Sequence, residues 1–85
     1  MSRIARIEAR LRAAFPDAQI ALEDESHLHA GHAGAQTGRG HFRLKIQSVA
    51  FAGLAPIARH RAVYTALGEL MQTDIHALSI DAQAA

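Results

Sequence analysis

The stretch from Arg59 to Ile80 constrains the fold most, because the spacing of its apolar residues changes partway through it. Up to about Gln72 these residues recur every three or four positions, which predicts an amphipathic helix that begins near Pro56. The predicted inner face of this helix comprises Ile57, His60, Val63, Leu67, Leu70 and Met71. From Ile75 to Ile80 the residues alternate instead, which predicts a strand. One face of that strand comprises His76, Leu78 and Ile80.

Three further elements are predicted ahead of this stretch. Ser2 can cap a first helix, which ends at Pro16 and whose arginines we expect to lie largely in water. Residues 19–24 alternate in polarity and predict a strand. Residues 41–49 predict a second strand, whose alternation breaks near Ser48 at a bulge. The inward-facing residues of this second strand are Phe42, Leu44 and Ile46.

A glycine- and histidine-rich segment separates the two strands. Residues 26–40 include four glycines, three histidines and a single large aliphatic residue, Leu28, which predicts a flexible loop. Residues 82–85 are expected to fray. The chain therefore predicts one domain over residues 1–85, with the order α-β-β-α-β. We expect a two-layer α+β sandwich in which both helices cover one face of the sheet.

Composition limits what the chain can do. It has 85 residues, a net charge of +1 at pH 7 and no cysteine. The near-neutral charge is unlike that of a typical nucleic-acid binder, and the lack of cysteine excludes thiolate ligands and thiol catalysis from this chain. The N-terminus lacks an apolar run of the signal-peptide type, and no stretch approaches the ~20 apolar residues that span a membrane. We expect a cytoplasmic protein, and the alanine- and arginine-rich composition suggests a bacterial source.

The histidines are the candidate metal ligands. His41 opens the second predicted strand, His76 opens the third, and His32 lies in the glycine-rich segment. If the leading ends of these strands meet, two or three imidazoles converge there. Two histidines leave a tetrahedral metal site half complete, so another molecule would have to supply the remaining ligands. Imidazole can replace thiolate on one iron of a 2Fe–2S cluster, whereas a solvated polar side chain is the simpler interpretation of any single loop histidine.

No set of residues has the spacing of a catalytic site. Ser26 beside His27, the acidic run at residues 23–25 and Tyr64 do not form a nucleophile, a base and an orienting group. The glycines match neither a phosphate-binding loop nor a dinucleotide-binding motif. We therefore expect that the chain is not an enzyme.

Residues 40–70 read GHFRLKIQSVAFAGLAPIARHRAVYTALGEL, and IHALSI follows at residues 75–80. An HF[KR] start to the second strand, an F-x-G turn, an RHRxVYxxL helix and an [IV]HALxI strand, in this order and spacing, resemble the BolA-like proteins. The resemblance covers nearly the whole chain. It implies a fold similar to a class II KH domain, with a mixed three-stranded sheet and helices on one face.

The resemblance also implies a partner and a cofactor. BolA-like proteins pair with monothiol glutaredoxins and share a 2Fe–2S cluster, to which the glutaredoxin cysteine and a glutathione thiol contribute two ligands. Carried over to this chain, the resemblance implies His76 as one further ligand and either His32 or His41 as the other. It implies a role in iron–sulfur cluster trafficking, assembly or iron and redox sensing. The chain alone would be a monomer or weak homodimer that holds no cofactor and binds no membrane.

A KH-like nucleic-acid-binding transcriptional regulator is the alternative function. Its basic patch would comprise Arg39, Arg43, Lys45, Arg59, His60 and Arg61. The near-zero net charge and the few aromatic residues, three Phe and one Tyr, argue against this interpretation because little is left to stack on bases. The GXXG loop of a KH domain is also not intact, since the segment from Gly53 ends in Pro56.

Overall fold

The computed structural model describes residues 2–26 and 40–85. In chain order the elements are α1 (Arg3–Ala14), β1 (Gln19–Asp24), β2 (Gly40–Ser48), a 3-10 helix (Val49–Phe51), α2 (Pro56–Leu67), α3 (Leu70–Thr73) and β3 (Ile75–Ala84). β1 pairs antiparallel with β2, and β3 pairs parallel with the other side of β2. The predicted α+β fold with a mixed three-stranded sheet is confirmed. The predicted loop lies outside the described residues except at its two ends.

The core lies between the helices and one face of the sheet. Every second residue of β2 is buried and the residues between them are exposed, apart from the half-buried His41, because one face of the strand meets the helices and the other faces solvent. The buried residues Phe42, Leu44 and Ile46 belong to one hydrophobic cluster with Ile7 and Leu11 of α1. The predicted inner face of the second strand is therefore confirmed.

The first helix begins as its sequence predicts. The Ser2 hydroxyl accepts a hydrogen bond from the Ala5 amide at 3.1 Å and so caps α1. The expectation that the arginines of α1 lie largely in water is wrong for Arg3, Arg6 and Arg10. Their side chains are 37%, 42% and 42% exposed and lie beside carboxylates from the other end of the chain. Neither α1 nor any other helix in the described ranges is long and apolar enough to cross a membrane.

The second helix is shorter than the periodicity predicts. It ends at Leu67, because Gly68 adopts a φ of +54° that a helix does not continue through, and the single turn of α3 follows. The placement of Ile57 on the inner face is also wrong, since this residue is 62% exposed. The first turn of α2 instead approaches β3 through Arg59, whose Nη1 donates to the Ala82 carbonyl at 3.0 Å.

The last strand is longer than predicted. The expectation of a frayed tail at residues 82–85 is wrong, because β3 continues to Ala84 and buries Ala82 opposite Ile46. The Ala85 amide also donates to the Ser48 carbonyl at 3.1 Å. The predicted bulge near Ser48 is likewise wrong, since the pairing between β2 and β3 is regular there and shifts between Gly40 and His41 instead.

Candidate functional site

Two predicted histidines meet where β2 and β3 begin. Because these strands are parallel, their first residues lie at the same end of the sheet. The ring centroids of His41 and His76 are 5.0 Å apart, with the ring planes inclined by 52°. The third predicted ligand, His32, lies outside the residues that the structure describes.

The register shift determines where the His76 ring lies. Gly40 is opposite Ile75 whereas His41 is opposite Ala77, so His76 is an extra residue on β3. The prediction that His76 shares a face with Leu78 and Ile80 is therefore wrong. His76 is exposed and lies against His41, while Ile75 takes the buried place.

Backbone hydrogen bonds fix the start of β2 on both sides. The Gly40 amide donates to the Asp74 carbonyl at 2.9 Å, and the Glu25 amide donates to the His41 carbonyl at 2.7 Å. The His41 amide donates to the Ser26 hydroxyl oxygen at 3.1 Å. The main chain that carries His41 is thus held to the end of β1 and to the residue ahead of β3, and this limits its freedom to move.

Gly40 lies in close contact with its neighbours. A Cβ atom at this position would lie 2.6 Å from the Phe42 ring and 2.8 Å from the Ser26 hydroxyl oxygen. Phe42 is only 2% exposed, so its ring has little room to withdraw. The residue immediately before His41 therefore has to be glycine for the strand to start in this position.

Asp74 links the start of β3 to the first helix. One carboxylate oxygen, Oδ2, accepts from Nε of Arg6 at 3.1 Å and also from Nη2 of the same guanidinium. Two charge-assisted hydrogen bonds therefore join Arg6 to this one oxygen. The other, Oδ1, accepts from the Thr73 hydroxyl at 2.7 Å, and Nε of Arg3 lies 3.6 Å from Oδ2. The hydrogen bond from Thr73, followed by that from Arg6, lowers the pKa of the Asp74 carboxyl despite its burial.

Sequence reasoning missed this contact, although a signal for it exists. Arg3, Arg6 and Arg10 recur at spacings of three and four, so they lie on one face of α1. Positive charges in the first turn of a helix interact unfavourably with the positive end of the helix dipole, unless acidic groups lie nearby. The acidic groups prove to be Asp74, which is buried, and Glu69, which lies at the surface.

A pair of histidines supplies two of the four ligands of a tetrahedral metal site. Two imidazoles bound to one tetrahedral metal ion at about 2.1 Å have ring centroids roughly 5 Å apart, and the centroids of His41 and His76 are separated by 5.0 Å. Among residues 2–26 and 40–85, no three His, Cys, Asp or Glu side chains come together as a metal site. A metal bound by this pair would therefore need ligands beyond these residues.

The predicted basic patch does not form one surface. Arg43 and Lys45 lie on the exposed face of the sheet, whereas Arg59, His60 and Arg61 lie on α2 in the helical layer. The Arg59 guanidinium donates hydrogen bonds to two backbone carbonyls of the same chain. Arg43 lies 3.4 Å from the Glu25 carboxylate. Arg39 is outside the described part of the chain.

A sequence model of a family described as BolA-like protein matches residues 11–85. The chain belongs to the BolA-like family. Its sequence is 41% identical over 83 residues to chloroplastic protein BOLA1 of Arabidopsis thaliana, which covers 93% of this chain and 51% of that protein. It is 39% identical over 75 residues to the DNA-binding transcriptional regulator BolA of Escherichia coli, which covers 88% of this chain and 69% of that protein.

Solved BolA structures share the whole fold. The BolA domain of SufE1 from Arabidopsis thaliana matches 99% of this chain and 93% of its own length, with a TM-score of 0.84 and 38% identity. The solution structure of BolA1 from Mus musculus matches 99% of this chain and 66% of its own length, with a TM-score of 0.78 and 37% identity. The chain spans about half the length of chloroplastic BOLA1. The family resemblance identified from the sequence motifs is thus confirmed.

Proposed function

We propose that this BolA-like chain is the partner of a monothiol glutaredoxin and supplies two histidine ligands to one iron of a shared 2Fe–2S cluster. His76 is one ligand, and His41 or His32 is the other. The glutaredoxin cysteine and a glutathione thiol supply the remaining ligands, because this chain contains no cysteine. When bound, the cluster provides one-electron redox chemistry and a cargo that can be transferred.

One observation carries this proposal, namely the contact between the rings of His41 and His76 at the end of the sheet. The centroid separation of 5.0 Å supports the proposal, because two imidazoles on one tetrahedral metal ion lie roughly as far apart. His76 is exposed, so a partner can reach it without unfolding the domain. Within residues 2–26 and 40–85 no third ligand group joins the two imidazoles, so a second molecule is suited to completing the site.

The proposed role is non-enzymatic and concerns cluster trafficking, assembly or the sensing of iron and redox state. A cytoplasmic location for this role stays a prediction. The family occurs both as the separate protein BOLA1 and as a domain of SufE1. Transcriptional regulation is the competing role, and its support is that the Escherichia coli relative is a DNA-binding transcriptional regulator.

The deciding experiment titrates this protein into a monothiol glutaredoxin that carries a 2Fe–2S cluster. Visible circular dichroism reports on the cluster ligands, and size exclusion reports on the association state. We expect the wild-type chain to convert the glutaredoxin homodimer into a heterodimer with a changed spectrum. We expect His76→Ala to retain the heterodimer but lose the new spectrum.

Parallel titrations with His41→Ala and His32→Ala identify the second ligand, because only the ligand's removal abolishes the new spectrum. His60→Ala is the matched control, since it removes a half-buried imidazole on α2 that lies away from the strand starts. An unchanged spectrum and elution volume with the wild-type chain would refute the proposal. Salt-sensitive binding to duplex DNA by the same preparation would then favour the regulatory role.

A further inference from the structure

We infer that the contact between Arg6 and Asp74 is a positioning device that holds His41 and His76 in their relative arrangement. The inference rests on the proposed function for its purpose, because it concerns the same pair of imidazoles. Its geometry does not depend on that function. Asp74 and Arg6 are positioning residues here, since neither is proposed to bind the metal.

Asp74 is connected to the main chain of both histidines. Its carbonyl accepts the hydrogen bond from the Gly40 amide at 2.9 Å, one residue before His41. In the other direction along the chain it lies two residues before His76, separated only by Ile75, which is 1% exposed. A movement of Asp74 therefore shifts the starts of both strands.

The Asp74 side chain is anchored to a separate element. The side chain is only 11% exposed, and its carboxylate is held by the Arg6 guanidinium from α1 and by the Thr73 hydroxyl. The Arg6 contact is the long-range one, since it joins the first and last thirds of the chain across 68 residues. The position of the histidine pair is thus set by the packing of α1 as well as by the sheet.

A second carboxylate provides the matched control at the opposite end of the sheet. Asp17 accepts from the Ser48 hydroxyl and the Val49 amide, both at 2.8 Å, and so fixes the point where β2 ends. Since β2 runs from Gly40 to Ser48, the end that Asp17 holds is far along the strand from the histidine pair. Both carboxylates hold a strand end by hydrogen bonds, but only Asp74 is next to the imidazoles.

The test uses the metal-free chain and measures the nuclear Overhauser cross-peak between the ring protons of His41 and His76. We expect this cross-peak in the wild-type protein and its loss in Asp74→Asn and in Arg6→Met. We expect it to be retained in Arg6→Lys, which preserves the cation, and in Asp17→Asn. Amide spectra recorded well below each melting temperature show whether each variant is folded. If Asp74→Asn is unfolded, the comparison of Arg6→Lys with Arg6→Met tests the inference on its own.

Three results would overturn the inference. These are the absence of the cross-peak from the wild-type spectrum, its persistence at wild-type intensity in folded Arg6→Met, and an equal loss in Asp17→Asn. The visible circular dichroism of the glutaredoxin complex gives a second readout, in which Arg6→Met should change the band pattern while Asp17→Asn leaves it unaltered. If no such complex forms, the proposed function fails, whereas the cross-peak still decides whether Arg6 and Asp74 position the rings.

Discussion

The interaction between Arg6 and Asp74 should stabilise the fold more than a second ion pair made by the same helix. Arg6 and Arg10 both lie on α1, and their side chains are equally exposed at 42%. Their partners differ, because the Asp74 side chain is 11% exposed and the Glu69 side chain is 72% exposed. Two double-mutant cycles therefore compare two arginine–carboxylate pairs that differ in the burial of the carboxylate and in their hydrogen bonds, two from Arg6 and one from Arg10.

The expected magnitudes follow from that difference. Hydrogen bonds to charged groups contribute about 1.5–3 kcal/mol each, and removing one partner of a fully buried pair costs about 3–5 kcal/mol. Since Arg6 keeps part of its hydration, we expect a coupling free energy of roughly 2 kcal/mol between Arg6→Met and Asp74→Asn. For Arg10→Met and Glu69→Gln we expect about 0.5 kcal/mol or less, the usual contribution of an exposed pair.

The assay is urea unfolding followed by far-ultraviolet circular dichroism, with the free energy of unfolding obtained for each single and double variant. A loss of about 2 kcal/mol should also lower the melting temperature by roughly 8–16 °C in a domain of this size. Coupling energies for the two cycles that agree within about 0.5 kcal/mol would refute the argument that carboxylate burial determines the strength of these pairs.

The stabilisation by Asp74 should depend on pH in a defined direction. Hydrogen bonds from Thr73 and Arg6 lower the pKa of this carboxyl in the folded protein, so its stabilising contribution is complete above the pKa of the unfolded chain, about 3.9. It is lost as the pH falls through the lowered pKa of the folded state. The difference in unfolding free energy between the wild-type protein and Asp74→Asn should therefore be constant near neutral pH and shrink in acid. A difference that instead grows in acid would contradict this assignment.

Three further changes test other parts of the fold. Gly40→Ala should destabilise the protein by about 1–3 kcal/mol in urea unfolding, because the added Cβ overlaps the buried Phe42 ring; an unchanged midpoint would mean that the strand start can relax. Arg59→Met should cost about 1–2 kcal/mol, since the guanidinium donates to two backbone carbonyls, and should leave any duplex DNA binding unchanged in a fluorescence anisotropy titration. Asp17→Asn should destabilise the protein near neutral pH, because hydrogen bonds from the Val49 amide and the Ser48 hydroxyl lower the pKa of Asp17. That difference should disappear as the pH falls through the lowered pKa, which thermal melts across a pH series would reveal.

The parts of the fold that sequence reasoning predicts well are those governed by local periodicity. The alternation of residues 41–49 is strict enough to identify the inner face of β2, and the Ser2 cap follows from residue type alone. Periodicity fails where the backbone changes direction without a change in hydrophobicity. Gly68 interrupts α2 between Leu67 and Leu70, which are both buried, so the apolar pattern alone continues through the break.

The tail shows a second kind of failure. Residues after Ile80 are mostly small or polar, so nothing in their local pattern favours a strand. They nevertheless form the last part of β3, because β2 is long enough to pair with them as far as Ser48. Tertiary pairing outweighs local propensity at this position, and such pairing is not visible in a window of a few residues.

The candidate site depends on which of two neighbouring residues, Ile75 or His76, is buried at the start of β3, and the sequence alone does not decide this. If the alternation of β3 were continued backward without interruption, His76 would lie opposite Gly40 on the buried face. The register shift reverses this assignment, so that Ile75 occupies the buried place at 1% exposure and His76 is exposed beside His41. Burying the aliphatic side chain in place of a polar imidazole is the favourable choice. The packing preference that completes the core at this end of the sheet is therefore the same one that brings the two imidazoles together.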